Sequence, residues 1–79
     1  MEAFDDARRR LSGAIRRARH RAGISQEALA LQAGINRSYV GQIEQGTGNP
    51  SLQVLVRLCT TLQIDLVDLF SGEREVAPR

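Results

Sequence analysis

Seventy-nine residues with a net charge of +2 make one domain, with no room for a second. Two Phe, one Tyr and no Trp leave Leu, Ile, Val and Ala to build a modest core. No apolar run reaches the roughly 18 residues of a membrane span, nothing resembles a signal peptide, and a lone cysteine, Cys59, excludes an internal disulfide. A cytoplasmic protein is the simplest expectation. The charge is uneven: residues 1–37 carry +4 and residues 38–79 carry −2, and every basic residue is arginine. A basic half suits a nucleic-acid partner, and arginine forks onto phosphate and guanine better than lysine does. A GC-rich genome would leave the same arginine bias.

Phe4, Ala7, Leu11, Ile15 and Ala18 recur at spacings of three and four and predict a first helix over 4–22. Asp5 and Asp6 open it, arginines crowd its end, and Gly23 stops it. Gly13, inside the pattern, costs about 1 kcal/mol against alanine. At 100° per residue, Arg10, Arg17 and Arg21 project away from Ile15, with Arg9, Arg16 and His20 alongside. Such a run is ordinarily a solvated face, although Arg17 and Arg21 also stand where they could reach phosphates. Arg19 differs: it falls within about 40° of Ile15. A buried arginine there needs an acid.

Residues 25–44, SQEALALQAGINRSYVGQIE, organise the rest. Ser25 caps a second helix over 26–33, with Glu27 in its first turn. Gln26 stands at that helix's N-terminus, where outward N–H groups attract phosphate. Leu29, Ala33, Val40 and Ile43 have the spacing of helix faces that meet a core. Gly34 occupies a left-handed turn, Asn36 caps a third helix over 37–45, and Gly46 ends it. Helix, glycine turn and capped helix are the grammar of a helix-turn-helix. The third helix leaves Arg37, Ser38, Gly41 and Gln42 off its apolar side. These side chains suit base edges, and would serve equally as an ordinary solvated face.

The turn GTGNP (46–50) offers further N–H groups to a phosphate. Ser51 caps a fourth helix over 52–62, with Leu52, Leu55, Leu58, Cys59 and Leu62 on one face. Cys59 lies in that stripe and reads as a buried thiol, not a nucleophile. Asp65 caps a short fifth helix over 66–71, in which Leu69 continues the core. The tail 72–79 is expected to be flexible. The result is an all-α, five-helix domain over 1–79, with its core in 4–71. Val54, Leu66, Val67 and Phe70 are apolar residues left over by the core pattern. They are expected to form a dimer surface.

From Leu11 to Phe70 the chain resembles the lambda-repressor-like (Cro/repressor, XRE) family of DNA-binding domains. The resemblance rests on R-x-x-x-G-I-S-Q-E-x-L-A from Arg19, G-I-N-R-S-Y-V from Gly34 and I-E-Q-G from Ile43. N-P-S-L from Asn49 and I-D-L-V-D-L-F from Ile64 complete it. It implies a compact five-helix fold in which Arg37, Ser38 and Gln42 contact bases. Ser25, Gln26 and Tyr39 would contact phosphates, and Arg19 and Glu44 would form a structural ion pair. Beside the resemblance, Asn36 and Arg17 are further expected phosphate contacts. Among subfamilies, N-R-S-Y looks closest to the controller proteins of restriction–modification systems, with short phage repressors near behind.

The function expected is a sequence-specific transcriptional regulator that binds palindromic DNA as a homodimer and autoregulates. Partners are double-stranded DNA and a second copy, with RNA polymerase open as a third and the nucleoid as location. An antitoxin-type or phage-type repressor that also binds a protein stays open as the alternative. An enzyme lacks support: His20 reads as solvated, and no carboxylate pair or metal-ligand cluster stands out. No cofactor, metal or small-molecule ligand is expected.

Overall fold

A computed structural model describes residues 2–71, in five helices. They are α1 (Glu2–Ala22), α2 (Gln26–Ala33), α3 (Arg37–Gln45), α4 (Leu52–Leu62) and α5 (Leu66–Ser71). The all-α class stands, and α1 begins two residues earlier than the periodicity suggests. Asp5–Arg8 and Asp6–Arg9 pairs, each at 2.9 Å, reinforce its first turns. Phe4 is 42% exposed, under the guanidinium of Arg8 at 4.8 Å. The expected flexible tail lies outside the described residues.

Capping fixes the other boundaries. Ser25, Asn36 and Ser51 each accept a backbone N–H of the first turn they precede, from Ala28, Ser38 and Val54 respectively. Gly34 and Gly46 end α2 and α3 at φ +73° and +80°, a region that costs a side chain dearly. α4 ends on Gln63, a non-glycine residue at φ +59°. The Ile64 N–H closes that turn onto the Cys59 carbonyl at 3.0 Å.

α1 packs against α3, α4 and α5, while α2 packs against α3 and α4. Ile15, Leu29, Val40, Leu58 and Leu69 meet at the centre with no solvent exposure. Two expectations about α4 need correcting. Leu52 is 65% exposed, because it lies at the edge of the stripe in the first turn; Val54, expected outside the stripe, is half-buried against the core. Leu66 also packs on the core. Val54 and Leu66 are therefore partly buried within the chain's own core, while Val67 and Phe70 stay exposed.

Candidate nucleic-acid interface

α3 has one side in the core and one in solvent. Val40, Ile43 and Glu44 are buried; Arg37, Ser38, Gln42 and Gln45 are exposed. A buried carboxylate on the inner side needs explaining, since burial alone would push its pKa up. Two partners outweigh burial and hold the Glu44 carboxyl below the usual carboxylate range. The Arg19 guanidinium donates from Nε to Oε2 at 2.6 Å and from Nη2 to Oε1 at 3.0 Å. The Gln26 side-chain amide donates to Oε1 at 2.9 Å. Arg19 Nη1 also donates to the Ile24 carbonyl at 2.9 Å. One carboxylate on α3 thus ties α1, α2 and the loop between them.

The backbone of Glu44 is held as well. Its carbonyl accepts from the Ser12 hydroxyl and, at 2.6 Å, from Arg16 Nη1. Beyond it, Thr47 and Gly48 N–H groups and the Thr47 hydroxyl converge on the Gln42 carbonyl at 3.0, 3.2 and 3.2 Å. These bonds close the C-terminus of α3. They also turn two N–H groups of the GTGNP segment inward, away from the phosphate role expected of them. At the other end, Arg57 Nη1 donates to the Gly34 carbonyl at 3.2 Å, so α4 braces the turn that joins α2 to α3.

A family model described as helix-turn-helix matches residues 15–69 of this chain. The chain belongs to the helix-turn-helix family. Its relatives within that family are named as transcriptional regulators. SlrR of Bacillus subtilis is 42% identical over 60 residues, which make up 75% of this chain and 40% of SlrR. The chain therefore spans two fifths of that regulator's length. The crystal structure of the restriction-modification controller protein C.AhdI from Aeromonas hydrophila is similar at a TM-score of 0.77 and 40% identity. That match covers 80% of this chain and 96% of C.AhdI. A hypothetical transcription factor, NHTF from Neisseria, superposes at a TM-score of 0.83 with 30% identity over 95% of this chain and 88% of its own.

Within this helix-turn-helix, the residues singled out by sequence are not all equally available. Ser38, Gln42 and Arg17 are exposed. Ser25 and Asn36 are exposed too, but their side-chain oxygens already accept the capping N–H groups at 3.0 and 2.7 Å. The Gln26 amide nitrogen is committed to Glu44, which leaves its backbone N–H at the start of α2 for an anion. Tyr39 is half-buried against the core, and its hydroxyl donates to the Asn49 carbonyl at a long 3.4 Å. Arg37 folds back along α3, with its Nε 3.5 Å from Glu27 Oε2.

Arg16, Ser12, Arg57 and Glu27 do more than the sequence reading assigned. Arg16 reads as solvated, and Glu27 as a first-turn acid. Three of the four bind backbone carbonyls or a helix terminus, and a backbone acceptor leaves no mark in the sequence. Glu27 and Arg37, ten residues apart, offered opposite charges on helices already expected to adjoin, and that signal could have been used.

Proposed function

We propose that this chain is a sequence-specific DNA-binding regulator, cytoplasmic and nucleoid-associated, acting as a homodimer on palindromic operators. The observation that carries the reading is the two-sided α3, with Arg37, Ser38 and Gln42 in solvent and Val40, Ile43 and Glu44 locked into the core. A helix held rigidly by its inner side and polar on its outer side suits the major groove, where arginine forks onto guanine and glutamine onto adenine. Arg17 on α1 and the N-terminal N–H groups of α2 would anchor flanking phosphates. Tyr39, Ser25 and Asn36 would add further phosphate contacts.

One helix-turn-helix reaches few bases, so a dimer spanning half-sites about one helical turn apart is the expected working form. Val67 and Phe70 on α5 offer the apolar surface for it, and the partly buried Val54 and Leu66 would contribute what they leave exposed. The likeness to C.AhdI over nearly that protein's whole length supports a role in restriction–modification control. Regulation would then follow from concentration, because dimerisation and paired-site occupancy both rise with dose. RNA polymerase would be the further partner if the bound protein activates.

Selection of bound duplexes from a random pool tests the reading. Enrichment of two inverted half-sites is expected. A selected pool no different from the input would remove it.

A further inference from the structure

Arg37 does not extend freely into solvent. Its guanidinium lies across α3 at Gly41, where a Cβ would stand 3.2 Å from Nη1 and 4.0 Å from Gln26 Oε1. Glu27 faces its Nε edge at 3.5 Å. The side chain therefore lies between Gly41 on α3 and Glu27 in the first turn of α2. Any larger residue at 41 would crowd it.

Both partners are well exposed, with side-chain accessibilities of 51% for Arg37 and 71% for Glu27. An ion pair of this kind adds little to folding stability. Its position argues for another role. Glu27 stands in the first turn of α2, the end that would face a phosphate in the docked protein. The carboxylate also accepts its own backbone N–H, which together with Arg37 holds its pKa below the usual range. Its place in that first turn sets a negative charge where a negative partner approaches. A charge so placed opposes binding, and by how much depends on what its arginine partner engages in each duplex.

We propose that Glu27 is a positioning residue that sets the base specificity of Arg37. This rests on the reading of Arg37 as a base contact. Glu27 engages the Nε edge and leaves the Nη end of the fork for a guanine. On the correct base pair the guanidinium bridges carboxylate and base, and exclusion of water strengthens both contacts. On a wrong base pair, a long arginine would ordinarily swing to the nearest phosphate and recover affinity without reading anything. Glu27 competes with that phosphate for the guanidinium and blocks the escape. Specificity here comes from a repulsive element as much as from an attractive one.

The test uses the full chain and its selected operator, with wild type, Glu27→Gln, Arg37→Ala and the double variant. Each is titrated on the operator and on duplexes carrying the other base pairs at each half-site position, at several salt concentrations. In Glu27→Gln, binding to the duplex altered at the Arg37 position should tighten more than binding to the operator. Discrimination there should fall about five- to tenfold. The salt dependence on that altered duplex should steepen by about one phosphate per half-site. In the Arg37→Ala background, the Glu27 substitution should leave discrimination unchanged.

Uniform tightening of Glu27→Gln on every duplex would make Glu27 a plain surface charge and overturn this inference alone. If Arg37→Ala weakens all duplexes equally, Arg37 does not read a base, and both that reading and this inference fall.

Discussion

At the scale of single residues, side-chain length and local space decide the work more than position on the helix. Arg37→Ala should cost about 1–3 kcal/mol on the operator and blur one base position. Gel-shift titration against a set of single-base-pair variants measures it; equal weakening on all of them would make Arg37 a phosphate contact. Gly41 shows the same principle from the other side. By propensity alone, glycine inside α3 is a weak point, and Gly41→Ala should stabilise the helix by up to about 1 kcal/mol. The added methyl would press on Arg37 Nη1. We expect a higher melting temperature together with a weaker preference at the Arg37 base pair, read by thermal unfolding and the same titration set. In the sequence Gly41 counts only for its own side chain, which offers nothing to a base. The space that a glycine leaves to a neighbour four positions away exists only in three dimensions.

Between elements, the junction of α1, α2 and α3 at Glu44 is the point where electrostatics and fold meet. The need was legible: Arg19 falls on the buried flank of α1 and requires an acid. The partner came only with the resemblance, because nothing in spacing chooses among acids 25 residues away. Glu44→Gln keeps the shape and removes the charge, leaving Arg19 unpaired in a site where its side chain is 12% exposed. Breaking such a pair should cost about 3 kcal/mol at neutral pH, a large share of what a small domain has.

The pH dependence has a definite sign. With its folded pKa held below the ordinary 4.5, Glu44 contributes fully above that value. The contribution is lost as pH falls through the lowered pKa. Denaturant unfolding of wild type and Glu44→Gln should therefore show a stability gap that narrows below pH about 4.5. A gap constant from pH 7 to 3 would take the charge out of the account. Helix boundaries, by contrast, were legible almost to the residue for α2, α3 and α4. Each has a hydroxyl or amide cap, and two end on glycine. The left-handed Gln63 was not, since no glycine marks it.

For the whole molecule, assembly and long-range charge take over. Val67 is 72% exposed and Phe70 38% on α5, and a second copy placed there would cover both. Val67→Arg should shift the chain to monomer in sedimentation and weaken operator binding far more than half-site binding. An unchanged dimer would exclude Val67 from the contact. The basic N-terminal half, with Arg17 and Arg21 exposed at the end of α1, predicts that affinity falls about tenfold or more between 50 and 200 mM salt. A flat response would be incompatible with phosphate anchoring.

Local chemistry determined the five helices, the glycine turn at Gly34, the stripe that buries Ile15, Leu29, Val40 and Leu58, and the polar outer side of α3. All of these follow from periodicity and capping, which act over a few neighbouring residues. Tertiary packing alone decided that Gln26 serves Glu44, that Arg16 and Ser12 hold the end of α3, that Val54 and Leu66 turn inward, and that Arg37 rests on Gly41 beside Glu27. Those facts depend on how separate helices approach one another. A hydrogen bond to a backbone carbonyl, or the room left by an absent side chain, has no letter in the sequence to announce it.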